Sequence, residues 1–101
     1  MVVRDATQML AHADGGVVPV LGEVHGFYWL PTCLLDVLPA DDRARVIDQM
    51  RAAVAEQTLD RVLTGEGRAA IEGQVMTNMQ AILDAFHSGI QVQGVEIGRT
   101  D

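Results

Sequence analysis

Three histidines and one cysteine are the most chemically versatile side chains in this 101-residue sequence. His12, His25 and His87 lie far apart, and no H-x-x-x-H or C-x-x-C spacing links any of them. Short spacings of that kind let two ligands converge on one ion, so no metal set is expected. Glu23 and His25 are two apart, and on a strand they would share a face because side chains alternate. That is the one ligand-like geometry in the chain, and its plainest reading is a polar surface pair. Cys33 with His25 would make a thiol–imidazole pair. Such a nucleophile also needs a group that orients the base, and no third residue presents itself. A free cysteine in apolar surroundings behaves as a small core residue.

Carboxylates and glycines add no chemistry. Asp41-Asp42 suits the start of a helix. Glu66 and Glu72 are six apart on a helix and do not converge. Gly65-Glu66-Gly67 precedes a helix, where an anion could bind, but Glu66 would repel phosphate. All seven basic residues are Arg, so a lysine-bearing phosphate loop is ruled out. The net charge is −7 and the arginines form no cluster, which argues against nucleic acid and against an anionic membrane surface as partners. No catalytic residue and no cofactor are expected, and the chain reads as non-enzymatic.

A chain of this length makes one domain at most, and at 49% hydrophobic it can bury a core. Phe27-Tyr28-Trp29 is either a ligand platform or, more simply, a strand with two residues inward and one outward. The opening MVVRDATQML has no basic and apolar leader pattern. Gly16 to Leu38 is apolar but carries Glu23, His25 and Asp36 and is broken by Pro19 and Pro31, so it does not read as a membrane span.

The elements that would position these residues are clearest in the second half. Ile71, Val75, Met79, Ile82, Leu83 and Phe86 form one apolar stripe of helical period, which predicts a helix from about Glu66 to His87. Gly73 weakens it by roughly 1 kcal/mol relative to Ala. Gly89 is the expected stop, in the left-handed conformation that glycine takes without strain. A strand follows over residues 90–97. Ile90, Val92 and Gly94 keep one phase, whereas Val95 and Ile97 keep the other. One extra residue at Gly94 reconciles the two, which predicts a β-bulge there. Val75, Met79, Ile82 and Phe86 are expected to pack on this strand.

Before Met50 the pattern is weaker. Arg4 to Ala13 reads as a short helix ended by Asp14-Gly15-Gly16. Val17 to Leu21 and Val24 to Leu30 read as a hairpin linked through Leu21-Gly22-Glu23. Cys33 to Leu38 is apolar without a period. A helix starts at Pro39-Ala40-Asp41-Asp42 with Asp41 as its N-cap, and Val46, Ile47, Met50, Ala53, Val54 and Gln57 form its stripe. Thr58 re-caps a short helical turn, TLDRVLT. The resulting fold class is α+β, with two main helices and a few strands. Residues 1–49 are left unassigned apart from the hairpin.

Several motifs of residues 50–101 resemble one family. They are Met50-Arg51-Ala52-Ala53-Val54, Thr58-Leu59-Asp60-Arg61-Val62-Leu63, Arg68 with Ile71, Gln80 with Leu83-Asp84, and Ser88-Gly89-Ile90-x-Val92-x-x-Val95-x-Ile97. Together they resemble the C-terminal part of the stomatin/prohibitin (SPFH, band-7) domain in its HflK branch. The resemblance implies a non-enzymatic scaffold that forms homo- or hetero-oligomers. It also implies an HflC-like sister subunit, regulation of an FtsH-type membrane ATP-dependent protease, and a place at the bacterial inner membrane. Family domains carry an anchor and strands before these helices and a long helix after them, so the chain reads as a fragment of a longer protein. The alternative is a small stand-alone α+β binding module whose 17–30 segment holds a ligand or partner.

Overall fold

The computed structural model describes residues 21–100. A three-stranded antiparallel sheet is covered on one face by two helices, an α+β arrangement. The order is β1 (Gly22–Val24), β2 (Phe27–Pro31), α1 (Ala40–Thr58), α2 (Gly65–Ala85) and β3 (Val95–Arg99). The expected helix over 4–13 and the strand residues 17–20 fall outside the described residues.

A hairpin forms within residues 22–31, with a first strand and a turn other than those expected. β1 begins at Gly22 and pairs with β2 in the register Gly22↔Trp29, Glu23↔Tyr28 and Val24↔Phe27. That leaves a two-residue turn at His25-Gly26, with φ of 53° and 79°. Positive φ at both central residues is what a type I′ turn requires, and its twist matches that of the flanking strands. Leu21-Gly22-Glu23, the expected link, therefore opens the first strand.

β3 completes the sheet beside β2, pairing Phe27↔Arg99, Trp29↔Ile97 and Pro31↔Val95. The expected strand over 90–97 thus begins only at Val95, and Ile90, Val92 and Gly94 precede it. They are held by other partners. The Gln80 side chain donates to the Ile90 carbonyl at 3.0 Å and accepts from the Val92 N–H at 2.9 Å. The Thr32 N–H donates to the Gly94 carbonyl at 2.7 Å, and the Gln93 N–H donates to the Thr32 carbonyl at 3.0 Å. Two residues facing one is the hydrogen-bond pattern of a bulge; it sits at the strand's entry.

α1 begins one residue before Asp41. Pro39 takes the N-cap position without a side-chain hydrogen bond, so Asp41 and Asp42 act as first-turn charges and not as caps. The expected helical turn after Thr58 does not form. Buried Thr58 donates its hydroxyl to the Val54 carbonyl at 2.8 Å and so closes α1. Asp60 then adopts φ 58°, which a right-handed helix cannot accommodate.

α2 ends at Ala85, four residues before the expected glycine. His87, at φ 52°, takes the left-handed position. The His87 N–H donates to the Asp84 carbonyl at 3.0 Å and the Ser88 N–H to the Leu83 carbonyl at 3.2 Å. These two bonds satisfy otherwise orphaned helix carbonyls as a Schellman motif does. Gly89, at φ 70°, redirects the chain after that.

The core lies between the layers. Trp29 and Ile97 from the sheet meet Val46, Met50 and Val54 of α1 and Ile71, Val75, Met79 and Leu83 of α2. The helices pack on each other, α1 against β1 and α2 against β3.

Candidate interaction surfaces

Among the described residues, those with catalytic potential are not assembled. Glu23 is exposed on β1, and the turn at 25–26 carries exposed His25 out of the strand. The shared strand face expected for this pair therefore does not exist. Cys33 is half-buried against the core, and burial pushes its thiol up to about 11. At neutral pH it is a thiol and not a nucleophilic thiolate. His87 caps α2, and His12 is outside the described residues. Among the described residues, no group of three or more His, Cys, Asp and Glu side chains could hold a metal ion.

The aromatic triplet is divided by the strand's alternation. Phe27 and Trp29 are buried, whereas Tyr28 points to the other face and donates its hydroxyl to Glu96 at 3.2 Å. Desolvation, with the Glu96 carboxylate beside it, raises the Tyr28 pKa above its ordinary value. The Trp29 indole N–H has no partner, the one such buried side-chain atom among the described residues. A groove of about 460 Å³ between β1 and α1 is lined by Leu21, Trp29, Ile47, Glu23, Asp48 and Arg51 among others.

The helix stripe is used inside the molecule. Val75 and Met79 are fully buried, and Ile82 and Phe86 are half-buried against the same core. The Arg45 guanidinium stacks over the Phe86 ring, 5.6 Å from its centroid. Val95, Ile90 and Val92 pack on the core from outside, and Ile97 lies within it.

Among the described residues, the large apolar side chains that face solvent are in the two connectors bracketing α1. Leu34 and Val37 precede it, 50% and 70% exposed; Leu59 and Val62 follow it, 56% and 70% exposed. Both connectors are anchored from within, by buried Leu35 and Leu38 in the first and by Leu63 in the second. The first is further pinned by the Arg43 guanidinium, which donates to the carbonyls of Leu35, Asp36 and Leu38 at 3.2, 3.1 and 3.0 Å. Anchors turned inward force the neighbouring Leu and Val outward in a fixed orientation. A helical stripe could not reveal these four residues, because they lie in aperiodic segments.

Among the described residues, no helix is long and apolar enough to cross a membrane. In comparison with known proteins, the chain matches no family model, no curated protein and no solved structure.

Proposed function

We propose that this chain acts by protein–protein contact, as part of a non-enzymatic scaffold of the HflK kind. In this reading it assembles with an HflC-like sister subunit and regulates an FtsH-type protease at the bacterial inner membrane. The observation that supports it is the order α1, connector, α2, β3 over the residues carrying the resemblance, with α2 packed on β3. Leu59 and Val62, both within the Thr58–Leu63 motif, face solvent where a partner would meet them. Exposed apolar side chains held in a fixed orientation gain free energy by burial against a partner. The test is co-purification of the tagged chain with an HflC-like subunit and with an FtsH-type protease, each expressed alongside it. Retention of either partner, lost on Leu59→Asp/Val62→Asp, supports the reading. Failure to retain both sinks it.

The groove beside Trp29 favours a second reading, a small binding module. Trp29 is the single tryptophan of the chain, so its fluorescence reports occupancy directly. A saturable shift with a small uncharged apolar probe such as octanol, abolished by Ile47→Asp, would move this reading to first place.

A further inference from the structure

The sheet order puts β1 at an edge, and no described residue pairs with its outer side. Val24↔Phe27 closes the two-residue turn and is therefore a hydrogen-bonded pair. At the next pair, Glu23↔Tyr28, the backbone groups then point away from the partner strand. Glu23 thus turns its N–H and C=O to the open side, and neither has a partner among the described residues. Its carboxylate is exposed and likewise has no ion pair or side-chain hydrogen bond among them. On the inner face a third group is unmet. The Trp29 indole N–H is buried without a partner, and its nitrogen lies over Gly22, where no side chain intervenes. Gly22 and Trp29 both line the groove of about 460 Å³, whose opposite wall is Ala44, Ile47 and the Asp48–Arg51 ion pair of α1. That pair neutralises itself, so Glu23 sets the charge of this edge.

Resting on the binding-module reading above, we propose that the ligand is an extended peptide segment of another protein, added antiparallel to β1 as a further strand. Its central residue lies opposite Glu23 and exchanges both backbone hydrogen bonds with it. That residue shares the outer face with Glu23, and a lysine there meets the unpaired carboxylate. The chain's net charge of −7 acts in the same sense. The following residue lies opposite Gly22 and points into the groove, where a glutamine oxygen accepts the Trp29 indole N–H. The preceding residue lies opposite half-buried Val24 and is apolar. The segment recognised is therefore apolar, lysine, glutamine in that order. Its binding satisfies a buried donor that is unmet in the free protein.

Nuclear magnetic resonance titration of the isotopically labelled full chain with acetyl-Thr-Val-Lys-Gln-Thr-amide tests this. The single tryptophan gives one indole N–H signal. That signal and the Glu23 amide signal are expected to move downfield together and to saturate. Methylating the backbone nitrogen of the probe's lysine removes the donor to the Glu23 carbonyl and should weaken binding about tenfold, the equivalent of one hydrogen bond. A probe with leucine in place of glutamine should still move the Glu23 signal but not send the indole signal downfield. Glu23→Lys, at an exposed position, should weaken the original probe several-fold and favour the same peptide with glutamate in place of lysine. A Glu23 amide that does not move overturns the proposal. So does binding indifferent to the backbone methyl group, an equal indole shift with the leucine probe, or Glu23→Lys without effect. If octanol occupies the groove but the peptide does not bind, strand addition fails and the binding-module reading stands. If neither binds, both fail.

Discussion

The Glu72 carboxylate accepts the backbone N–H of Ile97 at 2.7 Å, across 25 residues of sequence. In the β2–β3 register, Ile97 lies opposite Trp29 at the sheet's outer strand. An edge strand presents unpaired N–H groups that invite other strands. Here a helix side chain fills that role at Ile97 and fixes α2 against the sheet. Glu72→Ala leaves this partly buried donor without a partner and is expected to destabilise the fold by about 1–3 kcal/mol. Glu72→Gln keeps an acceptor and should lose less. Urea unfolding followed by circular dichroism ranks the two, and equal losses would contradict the assigned role.

Gln80 holds the segment before β3 through two opposite bonds, donating to Ile90 and accepting from Val92. Gln80→Glu removes the donor and turns a carboxylate oxygen toward the Ile90 carbonyl. Gln80→Ala removes both bonds. Gln80→Ala should accelerate hydrogen exchange at the Val92 amide, because local opening no longer has to break a partly buried bond, whereas Gln80→Glu keeps the Val92 acceptor and should accelerate it less. Unchanged exchange at Val92 would show that the packing of Ile90 and Val92 alone holds the segment.

His87 ends α2 in a left-handed conformation, at φ 52°. An L-residue there bears strain of roughly 1–2 kcal/mol that glycine avoids, against glycine's greater chain entropy. His87→Gly should therefore raise stability by about 0.5–1 kcal/mol. The hairpin offers the same test at His25, φ 53°, where His25→Asn creates the Asn-Gly pair favoured in type I′ turns. Chemical denaturation midpoints read both, and a fall at either site would be inconsistent with the turn geometry.

Gly22 and Gly98 lie under aromatic rings of opposite mobility. A Cβ at Gly22 would enter the Trp29 indole, and one at Gly98 would enter the Tyr28 phenol ring. Trp29 is fully buried, whereas Tyr28 is half-buried on the outer face and can swing away. Gly22→Ala is therefore expected to cost about 1–3 kcal/mol through overpacking, and Gly98→Ala less. Thermal unfolding of the two variants decides the order.

The Cys33 thiol, pushed up to about 11 from 9.0 by burial, ties stability to alkaline pH. The folded state disfavours the thiolate more than the unfolded state does. The thiol's contribution is whole below about 9 and is lost as pH rises toward 11. At neutral pH the thiolate fraction is about 100-fold below that of an unperturbed cysteine, and alkylation by iodoacetamide should slow in proportion. Cys33→Ala should flatten stability between those two pH values. Alkylation at the rate of a free cysteine would refute the burial.

The sequence determined what depends on local period. The stripe Ile71, Val75, Met79, Leu83 marks α2 because burial of one helix face imposes a 3.6-residue repeat. The split of Phe27-Tyr28-Trp29 between two faces follows from the two-residue repeat of a strand. The lack of lysine and the scattered arginines likewise needed no structure to read. Tertiary structure decided where backbone polar groups find partners. The residues at 90–94 read as strand because they are apolar and extended, but Gln80 and Thr32 supply their hydrogen bonds, and β3 begins only at Val95. Asp60, His25 and His87 adopt positive φ in a fold that turns at those points, although glycine would fit each more easily. The exposed pairs Leu34/Val37 and Leu59/Val62 emerged only once Leu35, Leu38 and Leu63 were seen to face inward. In an aperiodic connector no repeat sorts inside from outside, so only the shape of the core it crosses can do so.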